Sequence, residues 1–288
     1  MTESELVDTL EKNVSTIELR LPSRLGYEKV AMNTAASVAK LMGFADERVE
    51  DLKTAVAEAC INAMEHGNKL DETLSVSVIL SMDAHSLEVK VLDTGSGPKG
   101  TKAAPDIDRK MQGEEDARGM GMFLIRALVD EAEWVSSPSA GSYARMVIHL
   151  KRTDAQDQTT QAIEERATMQ EQGTQVKMEE VSCGTGPITV LRFAGDITST
   201  SQAAVLGTYQ GLPESVKRIL LDFSRVEYLN SSGIALIIQM MIAASKRGQT
   251  IQTFGLTAHF QKVFTMVGIT KYTTLHPDET TACAAFTT

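Results

Sequence analysis

Positive charge is scarce in this chain: 28 Lys and Arg stand against 38 Asp and Glu, a net charge of −10 at pH 7. That balance offers no basic footprint for nucleic acid or an anionic lipid surface, and neither is expected as a partner. A polyanion such as a nucleotide would have to be gripped locally, by backbone amides, a metal ion or one or two cations, against the bulk field. Cysteine is scarce too. Cys60, Cys183 and Cys283 lie far apart without metal-ligand spacing, so neither a disulfide framework nor a zinc site is expected, and a reducing compartment fits best. The longest strongly apolar run, Ile234 to Ala244, is too short to span a bilayer. The opening Met1-Thr2-Glu3-Ser4-Glu5 lacks the basic-then-apolar order of a signal peptide. A cytoplasmic location with no membrane partner is the expectation.

What is present is an ordinary globular composition, 42% hydrophobic and 23% charged over 288 residues, enough for two domains of about 150 residues each. Residues 151–175 hold Gln, Thr, Glu and Asp with hardly an apolar side chain and read as a linker, coiled or partly helical, between domains at 1–150 and 176–288. In the first half, apolar periodicity predicts helices from about Gly26 to Met42 and from Glu47 to His66. Strands are predicted at Leu74 to Ser81, Ser86 to Leu92 and Ala144 to Leu150, with a helix at Gly121 to Val129. The second half alternates strands (Ile188 to Phe193, Arg218 to Phe223, Thr250 to Phe254) with helices (Ser199 to Gly211, Ser232 to Lys246, Ala258 to Val267), the pattern of an α/β layer.

On the helix from Glu47 to His66, Val49, Leu52, Val56, Cys60 and Ala63 form an apolar stripe, and Glu58 and Asn62 share a different face four residues apart. That face is either plain solvated surface or a site in which the Asn oxygen holds a divalent cation while the carboxylate takes a proton from an attacking hydroxyl. Asp93-Thr94-Gly95-Ser96-Gly97 directly follows an apolar run. It is either a simple turn or a place where backbone approaches a ligand and Asp93 accepts a hydrogen bond from an exocyclic amine. Arg118-Gly119-Met120-Gly121 precedes an apolar helix whose first amides could cradle phosphate, although capping alone explains a lone Gly-x-Gly.

Taken in order, Glu58-x-x-x-Asn62, Asp93-x-Gly95-x-Gly97 and Gly119-x-Gly121 resemble the GHKL ATPase superfamily over about Val14 to Leu150. The string Glu58-Ala59-Cys60-Ile61-Asn62-Ala63-Met64-Glu65-His66-Gly67 and the short span to Gly119 look most like the anti-sigma-factor serine kinases. The resemblance implies a GHKL (Bergerat) α/β sandwich with a mixed sheet. It also implies Glu58 as general base, Asn62 as Mg²⁺ ligand, Asp93 as adenine contact, and Gly95, Gly97, Gly119 and Gly121 shaping the nucleotide pocket and its lid. In some members an Arg two residues before the first lid glycine approaches the γ-phosphate; here Ala117 holds that place and Arg118 follows it, as a further nucleotide-binding candidate. The segment Gly141-Ser142-Tyr143-Ala144-Arg145 lacks the Gly-Thr that often closes such sites. No histidine precedes His66, so no phosphoacceptor helix of the histidine-kinase kind is expected upstream, and His66 itself reads as a packed or capping residue.

In the second half a buried strand leads through Asp222-Phe223-Ser224-Arg225-Val226 to Asn230-Ser231-Ser232-Gly233 and an apolar helix. These polar residues either cap the helix or expose a serine where an added phosphate would bring about two negative charges to a partner-facing surface. The segment from about Val176 to Phe286, with Gly195-Asp196-Ile197, resembles the STAS domain of anti-sigma-factor antagonists, a C-terminal α/β domain. The resemblance maps the phosphoacceptor to Ser231, with Asn230 where Asp is usual. Together the two resemblances imply a partner-switching regulator of transcription in which an ATP- and Mg²⁺-dependent serine kinase and an antagonist domain share one chain. A sigma factor, STAS or anti-sigma proteins, a second copy in a homodimer, or the chain's own other domain would be its partners. A tether of about 25 residues spans roughly 25 to 30 Å and holds linked domains near millimolar effective concentration. The alternative is a nonenzymatic ATP-gated protein-binding module.

Overall fold

The computed structural model describes residues 14–95, 109, 119–137, 141–150, 173–183 and 186–287. By contacts they form two compact units, 14–95 with 128–150, and 109 and 119–127 with 173–287. Of the expected features, Gly97, Arg118 and residues 151–172 of the linker expected at 151–175 lie outside the described residues, and Gln175 already begins a strand.

The first unit is built on five strands, β1 (Ser15–Pro22), β2 (Ser75–Met82), β3 (Ser86–Asp93), β4 (Glu131–Ser137) and β5 (Gly141–His149), in the order β1-β2-β3-β5-β4. All four described pairings are antiparallel, so the mixed strand directions expected for this sheet are found in the second sheet instead. Alternate residues point to one face, and Val76, Val78, Leu80, Leu87, Val89, Val91, Met146 and Ile148 are buried there. Two helices, α1 (Glu28–Leu41) and α2 (Asp46–Asn62), pack on each other, with Ala31, Ala35 and Ala39 of α1 and Val49, Leu52 and Val56 of α2 buried. Asp46 and Glu47 in the first turn of α2 suit the positive end of its dipole. Helix α3 (Gly121–Leu128), whose residues up to Ala127 group with the second unit, buries Leu124, Ile125 and Leu128.

The second unit carries β6 (Gln175–Cys183), β7 (Gly186–Ile197), α4 (Gln202–Gln210), β8 (Arg218–Leu229), α5 (Ser231–Lys246), β9 (Thr250–Phe254), α6 (Ala258–Val267), β10 (Thr274–His276) and α7 (Glu279–Ala284). Its sheet order is β10-β9-β8-β7-β6, antiparallel at β6–β7 and parallel elsewhere. Each parallel pair is joined through a helix, as such crossovers require. On one face Phe193 stacks on Phe223 with centroids 5.0 Å apart, and Phe223 meets Phe264 of α6 edge-on at 5.7 Å. On the other face Ile188, Val190, Leu220 and Phe254 pack beneath Ala282 of α7. The apolar run Ile234 to Ala244 is the body of α5, and no described helix is long and apolar enough to cross a membrane.

Cys183 and Cys283 are joined by a disulfide, against the expectation of none. Their 100-residue separation carries no spacing signal, and only the folding of α7 back over the sheet brings them together. Cys60 is buried in α2.

Candidate functional site

The expected stripe on α2 is buried, but so are Ala55, Ala57, Ala59 and Ile61 on its flanks. The helix is therefore enclosed nearly all round, which overturns the reading of Glu58 as part of a solvated face: Glu58 is only 1% exposed. One turn on, Asn62 is half-buried, and its Nδ2 has no hydrogen-bond partner among the described residues. The under-satisfied Asn62 amide, sharing a helix face with the enclosed Glu58 carboxylate, fits a site completed by a ligand, because a buried amide donor without a partner is costly.

After Asn62 the helix widens into a π turn, Ala63–Gly67, a distortion that often marks functional sites. This turn sets Gly67 against the end of β3: a Cβ at Gly67 would fall on the Asp93 carboxylate, and one at Gly95 would fall on the Gly67 backbone. Glycine is required here by close approach. Asp93 Oδ1 accepts from the Gly95 amide at 2.7 Å and lies 2.8 Å from the Ser142 hydroxyl, which also reaches the Gly95 carbonyl at 3.1 Å. The hydrogen bonds of Asp93 among the described residues all use Oδ1.

Two residues unmarked by sequence reasoning complete the arrangement. Ser142 faces Asp93 across the β3–β5 ladder and is 4% exposed, so the segment that lacks Gly-Thr still brings a hydroxyl to Asp93. Asn68, 2% exposed, accepts through Oδ1 from the Thr94 amide at 3.0 Å and the Thr94 hydroxyl at 2.8 Å, and donates from Nδ2 to the Ser75 carbonyl at 3.2 Å. It ties the loop after β3 to the end of the π turn and the start of β2. The signal was a lone Asn after Gly67, which composition cannot tell from a helix end. The chain leaves through Lys69 and Leu70, both left-handed with φ of 55° and 58°. His66, read as packed or capping, is exposed.

Gly119, with φ 88°, precedes α3 and Gly121 is that helix's first residue. No cluster of three or more His, Cys, Asp or Glu able to hold a metal occurs among the described residues. Mg²⁺ needs no such cage, since it keeps several waters and binds through one or two protein oxygens together with substrate phosphates, a role the Asn62 amide oxygen fits.

In the second unit Asn230 is the N-cap of α5, its Oδ1 accepting from the Gly233 amide at 2.9 Å. The helix begins at Ser231, which is half-buried. A Cβ at Gly233 would collide with the Ile197 carbonyl, so glycine lets this turn sit against the end of β7. Asp222 is buried and its Oδ1 accepts from the Ser224 amide at 2.9 Å and from the Ser224 hydroxyl.

The family model for the histidine kinase-like ATPase domain matches residues 21–148, and the model described as Mlab, STAS domain matches 185–277. The serine-protein kinase RsbW of Bacillus licheniformis is 30% identical over 155 residues, covering 52% of this chain and 96% of that protein. RsbW of Bacillus subtilis is 32% identical over 126 residues, 42% of this chain and 79% of that protein. The RsbU and RsbW domains of Rv1364c from Mycobacterium tuberculosis align at 18% identity and a TM-score of 0.36, over 48% of this chain and 33% of theirs. With Glu58, Asn62 and Asp93 on an ATPase-type frame and a relative matched over nearly its whole length, the chain belongs to the RsbW family of anti-sigma-factor serine-protein kinases and carries a STAS domain after its kinase-like ATPase domain.

Proposed function

We propose that this chain is an ATP-dependent serine kinase of the partner-switching type, residues 1–150 acting as the kinase, 151–175 as the tether and 176–288 as the STAS antagonist. The observation that carries the reading is the buried Glu58 one helical turn from Asn62, on the element that also packs Gly67 against Asp93. ATP is the nucleotide of this family; the Asp93 carboxylate accepts from the adenine amine, Gly95, Gly97, Gly119 and Gly121 shape the nucleotide pocket and its lid, and Arg118 is a further nucleotide contact. Mg²⁺, held by the Asn62 oxygen and the phosphates, would supply charge neutralisation. Glu58 takes the proton of an attacking serine hydroxyl as the γ-phosphoryl passes to its oxygen and ADP departs. Such transfer demands chiefly positioning and electrostatic support.

Ser231 is the proposed acceptor, in this chain, in a second copy of a homodimer or on a separate STAS protein, and a sigma factor is the proposed target of the switch. At the first residue of α5 a phosphate meets the positive end of the helix dipole, so it is tolerated while presenting new charge to a partner. The test is incubation of the purified chain with γ-labelled ATP and Mg²⁺, beside Glu58→Ala and Ser231→Ala. Label on Ser231 or on an added STAS protein, lost in Glu58→Ala, is expected. Nucleotide binding without any protein labelling would instead make the chain a nonenzymatic ATP-gated binding module.

A further inference from the structure

Helix α7 has only six residues, too few to hold a helical segment in place by propensity alone. An N-cap orders it and three contacts keep it on the sheet. Ala282 is buried against Ile188, Val190, Leu220 and Phe254. Asp278 caps the first turn, accepting from the Thr281 amide at 2.8 Å. Glu279 grips Arg192 of β7 in a bidentate pair, 3.0 Å at each nitrogen, while Arg192 also reaches Glu179 at 2.7 Å and Asp222 at 2.8 Å. Finally Cys283, towards the other end of α7, is bonded to Cys183 at the end of β6, with Cα atoms 5.8 Å apart, within the usual disulfide range. The helix is thus held by an ion pair at its start and a covalent bond near its finish.

Cys183 and Cys283 are both half-buried and so within reach of small reagents. Cys60 is fully buried, and burial, with the Glu28 carboxylate nearby, pushes its thiol well above the usual range. The fold therefore separates one inert thiol from one addressable pair.

We propose that Cys183 and Cys283 form a thiol–disulfide exchange site whose substrates are low-molecular-weight disulfides, and that its redox state sets how firmly α7 covers this face of the sheet. The thiolate of one cysteine attacks a sulfur of the external disulfide, forming a mixed disulfide and releasing one thiolate. The second cysteine attacks the protein-side sulfur of that mixed disulfide and releases the other. The two protons lost by the cysteines end on the two released thiols, and the two electrons the pair gives up reduce the external disulfide. Excess dithiol runs the sequence backwards. In the bonded state α7 is fastened at both ends. In the reduced state it hinges on the Glu279–Arg192 pair, and its second half lifts from the apolar surface of Ile188, Val190, Leu220 and Phe254.

The full chain treated with oxidised glutathione or with dithiothreitol, alkylated and read by mass spectrometry, tests the chemistry; amide exchange over residues 279–286 tests the clasp. Oxidised glutathione should remove two alkylatable thiols and yield a linked peptide containing Cys183 and Cys283. Dithiothreitol should restore both without denaturant, and Cys60 should react only after unfolding. Amide exchange over α7 should be about tenfold faster in the reduced protein. Cys183→Ser and Cys283→Ser should each exchange at the reduced rate under both treatments; should one fail to fold, the other and the reduced native chain carry the comparison. A lasting glutathione adduct, two thiols that stay alkylatable after oxidation, a bond that resists dithiothreitol in the folded protein, or equal exchange in the two states would overturn the proposal.

Discussion

Gly67 has no side chain because the Asp93 carboxylate stands where one would be. Gly67→Ala must displace either that carboxylate or the π turn, an overpacking cost of about 1–3 kcal/mol, and nucleotide affinity should fall roughly tenfold or more. Isothermal titration with ATP checks it, and unchanged affinity would mean that Asp93 does not meet the base. The Ser142 hydroxyl tests the same point more gently. Ser142→Ala removes one hydrogen bond to Asp93, worth about 1 kcal/mol, so affinity for ATP should drop roughly fivefold while affinity for tripolyphosphate stays constant. Ser142→Thr should keep the native value. Glu58, Asn62, Asp93 and Gly95 were legible in the sequence because their spacing along the chain is itself the motif. Asn68 and Ser142 were not, because what gives them a role is a partner 26 residues away in one case and 49 in the other.

Among the elements, the strands missed from the sequence share one property: β1, β4, β6 and β10 are the edges of their two sheets. An edge strand has one unpaired side and tolerates charge, so its alternation is weak. β1 is exposed at most positions and β6 carries Lys177, Glu179 and Glu180. The central strands β2, β3, β5, β7, β8 and β9 hold apolar runs rich in β-forming residues and read clearly. Helix α7 was missed because it is a single short segment without apolar periodicity. At α5 the Asn230 cap gives a direct test: Asn230→Ala should lower the stability of the second unit by about 0.5–2 kcal/mol, whereas Asn230→Asp should retain the cap, as urea unfolding would measure. If Ala costs nothing, the cap is not what anchors the helix start.

For the whole molecule, the excess of acid sets its field, yet a histidine gives a pH dependence of opposite origin. Burial holds the His276 pKa below the ordinary histidine value, the Asp278 charge opposing it only in part, and Nε2 lies 2.9 Å from the Gln252 side-chain oxygen. A lowered folded pKa means that the unfolded chain binds the proton more tightly. Stability should therefore fall as pH drops through about 6.5 and level off below the folded pKa. Urea midpoints for the wild type should decline between pH 7.5 and 5.5, and His276→Gln should flatten that decline; parallel curves would assign the dependence elsewhere. By itself the sequence determined that there are two α/β folds, in what order, and that an acid and an amide a helical turn apart precede an Asp-x-Gly turn, because each of these is a local pattern of spacing. Tertiary structure alone decided that Glu58 is enclosed rather than solvated, that Ser142 and Asn68 brace the Asp93 loop, and that Cys183 meets Cys283. Those outcomes depend on sheet register and on the return of α7 over the sheet, long-range contacts that no window of neighbouring residues encodes.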